Sequence, residues 1–275
     1  MDSVDLGKIE LSDERLERHR VIINDDLTIP IEKVQALEFT IHNEDGTYGL
    51  WSPKDLVELI GFIKLYSHFL EMGNPLSLTN NHCPYETHQL LKAAYHASDE
   101  GYLVETGTEL GQGTLALLIG ARLSGKTKPV ITIDYDWGQF SWGGWQGTDR
   151  MHYFLNTIRQ YGFIENVHSI LGNSPIVAKI LNIPISLLFI DGEHSEDGVT
   201  KDILAFKDKI ISKGMIYCHD YNTEYYPYVT SVVNDLIRDS QDFCDFEPLG
   251  AEEIVTLGSR PLTTLVRAER LPHSE

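Results

Sequence analysis

With 22 basic and 41 acidic residues among 275, the chain carries a formal charge of -19, which argues against nucleic acid and membrane surfaces as partners. Its 42% hydrophobic content suits a globular protein with a sizeable core, and three cysteines, Cys83, Cys218 and Cys244, without a CxxC pair, argue against a disulfide framework or a structural zinc site. The opening MDSVDLGKIELSDERLERHR has no apolar core of the signal-peptide kind, and the most apolar run, LVELIGFIKLYSHFL, is too short and too charged to span a bilayer, so a reducing, cytoplasmic setting is expected.

Residues 1–80 read as an N-terminal extension with small elements of its own, ahead of a larger domain over 81–275. ALEFTIH alternates as a half-buried strand does, Asn43-Glu44-Asp45-Gly46 is turn chemistry, and TYGLW can pair back as a hairpin. Ser52-Pro53-Lys54-Asp55 offers a helix start with serine as the cap, and Leu56, Leu59, Ile60, Ile63 and Phe69 then recur at helical spacing. That stripe is read as packing, with a lid or dimer contact as the alternative. GNPLSLTNNHCP breaks the pattern and marks a soft boundary.

From about Pro84 onward the pattern is regular. PYETHQLLKAAYHAS reads as a helix, GYLVETG as a strand, TLALLIGARLSG as a helix and PVITIDYD as a second strand. MHYFLNTIRQYG is helical, VHSILG and ISLLFIDG are the third and fourth strands, GVTKDILAFKDKI is a helix and KGMIYCHDY the fifth strand. Val, Ile and Leu strands alternating with helices predict a Rossmann-like, mostly parallel sheet covered on both faces. EEIVTLG and LTTLVRAE, separated by Ser259-Arg260-Pro261, add an expected C-terminal antiparallel hairpin and bring the sheet to seven strands.

In such sheets ligands settle beyond the carboxyl ends of the strands, where strand order reverses. The first candidate segment there is Glu105-Thr106-Gly107-Thr108-Glu109-Leu110-Gly111-Gln112-Gly113-Thr114. Its glycines permit a tight turn and close approach of a ligand to the backbone at a helix N-terminus. A glycine loop alone is also a dinucleotide-binding device. Glu105, just before the first glycine, would repel a pyrophosphate but could accept from a charged amino group, which favours a cationic ligand without phosphate. Asp134, at the end of ITID, can accept both hydroxyls of a ribose, a feature common to both ligand types.

These segments resemble class I S-adenosylmethionine-dependent methyltransferases. VETGTELGQGT looks like their first motif and ITIDYD like their second, LGNSP resembles the segment lining the adenine, and FIDGEHSEDGVTKDILAF with GMIYCHDY resembles the DGxHxY and HDY pattern of the small-molecule group often called type 24. The resemblance spans about residues 84–265. It implies that Glu105, Gly107, Thr108, Gly111 and Gly113 contact the methionine part of S-adenosylmethionine, that Asp134 holds the ribose, and that Asn173 and Ser174 lie beside the adenine, with Asp191 close to the same ligand.

Adjacent parallel strands should bring Asp191, at the end of ISLLFID, close to His219 and Asp220 at the end of GMIYCHD. Such a group can hold a hard divalent cation, magnesium foremost, and the resemblance places acids at these two strand ends; hydrogen-bonding roles for Asp191 and Asp220 are the alternative. His194, three residues beyond Asp191, suits the general base that takes a proton from a hydroxyl during methyl transfer, against a histidine bonded within its own turn or a metal ligand. His219 reads as a structural residue rather than the base. Trp137, Phe140, Trp142 and Trp145 form an aromatic, glycine-rich segment that could close over substrate, or else pack in the core or against another subunit, and Tyr225, Tyr226 and Tyr228 join the same rim. The expected partner is a small-molecule methyl acceptor such as a sugar, phenol or polyketide, with a homo-oligomer also open. The rival readings are an NAD-dependent oxidoreductase on the same layout and a non-catalytic subunit that keeps the ligand fold.

Overall fold

The computed structural model of the chain describes residues 29–42, 48–70, 84–109, 111–126, 129–135, 151, 154–156, 158–159, 161–223, 225–249 and 264–272. The N-terminal elements are α1 (Ile31–Gln35), β1 (Phe39–His42), β2 (Tyr48–Trp51) and α2 (Leu56–Leu70). There follow α3 (Pro84–His96), β3 (Tyr102–Thr106), α4 (Gln112–Ser124), β4 (Val130–Asp134), β5 (Val167–Leu171), α5 (Ser174–Ile180), β6 (Ile185–Ile190) and α6 (Glu196–Phe206). The chain continues with β7 (Ile210–Tyr221), α7 (Pro227–Val233), β8 (Phe243–Leu249) and β9 (Thr264–Arg270).

Among the described residues, seven strands make one sheet in the order β5-β4-β3-β6-β7-β9-β8. Strands β3 to β7 pair in parallel, β9 runs antiparallel to β7, and β8 antiparallel to β9. The pleat sends alternate residues to opposite faces. Leu103, Leu187 and Phe189 enter a core shared with α2, α3 and α4, whereas Val104, Leu188 and Ile190 enter one shared with α5, α6 and α7. Both faces are therefore covered, as continuous apolar strands require. The chain leaves β3 outward through β4 to β5 and returns to β6 on the other side of β3. That reversal opens a crevice at the carboxyl ends of β3 and β6, the Rossmann-like arrangement expected from the sequence.

The β1–β2 hairpin forms in antiparallel register, Phe39 opposite Trp51. Its turn, Asn43 to Gly46, lies outside the described residues. Leu56, Leu59, Ile60 and Ile63 of α2 are buried in the core shared with α3 and α4, and the side chain of Phe69 lies outside the described set. Phe62, absent from the stripe read in sequence, is fully buried and stands 4.7 Å from Phe39, 4.8 Å from Trp51 and 5.1 Å from Tyr161 by ring centroid. Among the described residues, no helix is long and apolar enough to cross a membrane.

Three local expectations need correction. The cap of α2 is Asp55 rather than Ser52: its Oδ1 accepts from the Glu58 N–H at 2.8 Å while the Glu58 carboxylate accepts from the Lys54 N–H. A carboxylate beside the helix start is the stronger acceptor and also meets the positive end of the helix dipole. The helix read over GVTKDILAFKDKI ends at Phe206, because buried Ile210 pairs with Ile185 and draws the chain into β7 after a single 3-10 turn. The strand paired antiparallel with β9 is FCDFEPL, residues 243–249, and EEIVTLG lies outside the described residues. The structure also adds two short helices, α5 and α7, where the sequence pattern predicts no element.

Candidate active site

Glycine 107 sets the geometry of the crevice. It follows β3 with φ of 86°, and a Cβ there would lie 1.9 Å from the Asp191 carbonyl oxygen, so only glycine lets the loop pass this close to the end of β6. The two strand ends are further tied by the Asp191 N–H, which donates to the Thr106 carbonyl at 2.8 Å. Gly111 caps α4 with φ of 86° and no side-chain cap, and a Cβ on it would strike the Phe154 ring at 2.4 Å. Gly113 is buried in the first turn of α4. A helix N-terminus thus opens on the crevice behind a glycine turn, which suits a carboxylate or other anionic group.

Asp134, at the end of β4, receives the loop. Its Oδ2 accepts from the backbone N–H groups of Thr108 and Glu109, both at 2.9 Å. Buried Thr108 also shares a hydroxyl contact with Thr132. Glu105 is 1% exposed, and its Oε2 accepts from the hydroxyls of Thr114 and Thr132, the latter at 2.6 Å. Burial pushes the Glu105 carboxyl up to about 8, the two threonine hydrogen bonds oppose that rise, and the charges of Asp191 and Asp134 add to it. The chain thus holds a carboxyl group that a nearby positive charge would readily ionise.

The ends of β6 and β7 assemble a second group. His219 is 5% exposed; its Nδ1 lies 3.1 Å from Asp191 Oδ1 and 3.4 Å from Asp220 Oδ2. His194, in the turn after β6, places Nε2 2.6 Å from Asp220 Oδ2, and its ring stacks on Tyr226 at 4.1 Å. For each imidazole, burial alone would lower the pKa. For His194 the hydrogen bond and charge of Asp220, with Asp191 behind it, outweigh burial and raise the pKa; for His219 the charges of Asp191 and Glu86 do so. Burial would raise the Asp220 carboxyl, but the two histidines hold it below the ordinary aspartate value. Asp220 adopts a φ of 60°, a left-handed conformation uncommon for a side chain with Cβ, which turns its carboxylate toward both imidazoles.

Asp191, His194, His219 and Asp220, singled out in the sequence, therefore converge. Asp191, His219 and Asp220 each offer a ligand atom, all within 4.8 Å of one another. Glu105, Gly107, Thr108, Gly111, Gly113 and Asp134 gather at the neighbouring strand ends. Asn173 and Ser174 stand at the start of α5: the Asn173 side chain accepts from the Ile176 N–H at 3.3 Å and the Ser174 hydroxyl donates to buried Asp202. Their adenine-side role remains an expectation beside these helix-starting roles. Tyr225 and Tyr228 are exposed near Tyr226, and Trp137, Phe140, Trp142 and Trp145 lie outside the described residues. Sequence reasoning missed Glu86, a buried acid in the first turn of α3 whose Oε2 lies 3.5 Å from His219 Nε2. It also gave no role to the hydroxyls of Thr114, inside the glycine segment, and of Thr132, a strand residue that meets Glu105 only across the sheet.

Residues 104–221 match a family model described as a methyltransferase domain. Among solved structures, the O-methyltransferase TomG from Streptomyces achromogenes, in complex with S-adenosylmethionine, shares 12% identity at a TM-score of 0.54, over 77% of this chain and 89% of that one. A SAM-dependent O-methyltransferase from Thermotoga maritima shares 14% at 0.53, over 86% and 78%. The SAH-bound methyltransferase PaMTH1 from Podospora anserina shares 13% at 0.53, over 76% and 87%. At these identities the likeness is one of fold.

Proposed function

On the premise that residues 104–221 are a methyltransferase domain of class I fold, we propose that the chain moves the methyl group of S-adenosylmethionine to a hydroxyl oxygen of a small molecule. The observation that carries this reading is the meeting, at one end of the sheet, of a glycine turn over Glu105 and Asp134 with the Asp191, His194, His219 and Asp220 group. The acceptor class is a sugar, a phenol or a polyketide-like natural product, for which Tyr225, Tyr226 and Tyr228 supply an aromatic rim; TomG is a protein of tomaymycin synthesis.

S-adenosylmethionine supplies the electrophilic methyl group, so the protein has to bind, align and exclude water. Glu105 meets the ligand's positive charge, and its high carboxyl pKa falls on contact with it. Asp134 stiffens the loop through the amides of Thr108 and Glu109 and adds the ribose contact. His194 donates Nε2–H to Asp220, which fixes the tautomer and leaves Nδ1 as the basic nitrogen for the acceptor hydroxyl. Asp191, His219 and Asp220 would hold a divalent cation, which would supply positive charge for an acceptor oxygen. Residues 1–80 form the extension and 81–275 the transferase unit in this reading.

A thermal-shift comparison tests it. S-adenosylhomocysteine at a hundred times its dissociation constant adds about 2.7 kcal/mol to the folded state and raises the melting temperature, whereas NAD leaves it unchanged. A response to NAD alone would turn the reading to an oxidoreductase, and a response to neither would remove the ligand-binding claim.

A further inference from the structure

We propose that the site formed by Asp191, His219 and Asp220 selects a divalent transition-metal ion over magnesium, with Glu86 as the residue that orients its imidazole ligand. The inference rests on reading this group as a metal site, and it departs from the magnesium expectation for the same three residues by weighing the imidazole donor.

Donors about 2.0–2.1 Å from one ion stand about 3.0 Å apart at octahedral right angles and about 3.4 Å apart at tetrahedral angles. His219 Nδ1 lies 3.1 Å from Asp191 Oδ1 and 3.4 Å from Asp220 Oδ2, so two edges of a coordination polyhedron already have the required length. The third donor pair lies within 4.8 Å. The three side chains thus fit a small cation without rebuilding either strand end.

Donor chemistry then decides which cation. Magnesium takes oxygen ligands, demands near-ideal octahedral geometry and keeps several of its waters. Here one of the three donors is an imidazole nitrogen, a ligand suited to zinc, iron, copper and nickel and to their neighbours in the first transition row. The donors are also largely buried: the side chains of His219, Asp220 and Asp191 are 3%, 5% and 20% exposed, which disfavours an ion that sheds water reluctantly.

Glu86 supplies an independent sign. It is 1% exposed, it comes from the first turn of α3, outside the strands that build the site, and its Oε2 lies 3.5 Å from Nε2 of His219 while Nδ1 faces the two aspartates. A carboxylate behind the second nitrogen is the arrangement that fixes the tautomer and raises the basicity of a metal-bound histidine. Burying an acid at this spot has a cost that an ordinary helix-start carboxylate avoids by staying in water.

The test uses the full-length, tag-free chain after chelation and dialysis, titrated in a calorimeter with Co2+ and separately with Mg2+, each with S-adenosylhomocysteine binding measured alongside. The expected result is one Co2+ per chain, bound more tightly than Mg2+, with visible-region absorption bands that report a nitrogen donor. Oxygen-only sites also favour Co2+ to some degree, so the decisive quantity is the ratio of the two dissociation constants. That ratio falls in His219→Asp, which restores an all-oxygen set. In Glu86→Gln, which keeps shape and ligands, Co2+ affinity drops about 10- to 100-fold while S-adenosylhomocysteine binds as before. Should His219→Asp not fold, Glu86→Gln and the cobalt spectrum decide the matter. Equal or tighter Mg2+ binding, a ratio unmoved by His219→Asp, or unchanged Co2+ affinity in Glu86→Gln overturns the proposal. Absence of any bound ion in a chain that still binds S-adenosylhomocysteine overturns it too and leaves the methyltransferase reading intact.

Discussion

Binding of the adenosyl ligand should expel a proton from Glu105. The carboxyl sits at about 8 in the free chain, because burial outweighs the hydrogen bonds from Thr114 and Thr132. At pH 7 only about one molecule in eleven then carries a carboxylate there, against about one in two at pH 8. If the bound ligand's positive charge holds Glu105 ionised, each binding event at pH 7 releases about 0.9 proton, and affinity rises about fivefold between pH 7 and pH 8. The sign follows from the direction of the shift: an acid raised in the free state and lowered in the complex binds fewer protons after association, so higher pH favours binding. Calorimetry of S-adenosylhomocysteine in phosphate and in Tris reads the released proton as a difference in apparent enthalpy that scales with buffer ionisation heat. In Glu105→Gln the difference disappears, and affinity at pH 8 falls by the worth of one charged hydrogen bond, about 1.5–3 kcal/mol or roughly 10- to 100-fold. An enthalpy independent of buffer in the unmodified chain, or one equally dependent in Glu105→Gln, would refute the argument.

Other expectations follow from the same geometry. His194→Asn should lower turnover by about 10²- to 10⁴-fold with S-adenosylhomocysteine affinity unchanged, since it removes a base and no ligand contact. Because Asp220 lifts the His194 pKa, the neutral imidazole accumulates only above the ordinary histidine value, so turnover of the unmodified enzyme should rise with pH through that region and the rise should vanish in the variant. Gly107→Ala should abolish S-adenosylhomocysteine binding as measured by thermal shift, because a methyl 1.9 Å from the Asp191 carbonyl forces the two strand ends apart. Phe62→Ala should cost about 3–5 kcal/mol in chemical denaturation, since its ring fills a closed aromatic group with Phe39, Trp51 and Tyr161.

The central sheet was legible because β4 and β6 are rich in Val, Ile and Leu and β3 carries Leu103 and Val104 at its centre, as burial on both faces demands. The βαβ alternation predicts parallel strands, so Glu105, Asp134, Asp191 and Asp220 could be placed at strand ends from the sequence, whereas the reversal of order between β3 and β6 is read from the fold. Strand β8 escaped because Asp245, Glu247 and Pro248 interrupt its apolar pattern, an edge-strand composition that reads as loop. Helix α5 escaped because it is only seven residues long and only two residues separate it from the end of β5, although the Asn173 cap and Pro175 in the first turn both mark a helix start. Glu86 had no local signature, since an acid in a helix's first turn ordinarily answers the helix dipole. Its approach to His219 arises only when α3 packs on the sheet. The hydroxyls around Glu105 are tertiary in the same sense: Thr132 is an ordinary strand residue until β4 pairs with β3 and sets it opposite Glu105.

A crystal structure with S-adenosylhomocysteine bound tests the central claim most directly. The account predicts the ribose hydroxyls on Asp134, the amino group near Glu105, and the sulfur above the turn at Gly107, facing the group of Asp191 and His194. A nucleoside seated away from the carboxyl ends of β3 and β4, with Glu105 still bonded only to Thr114 and Thr132, would contradict it.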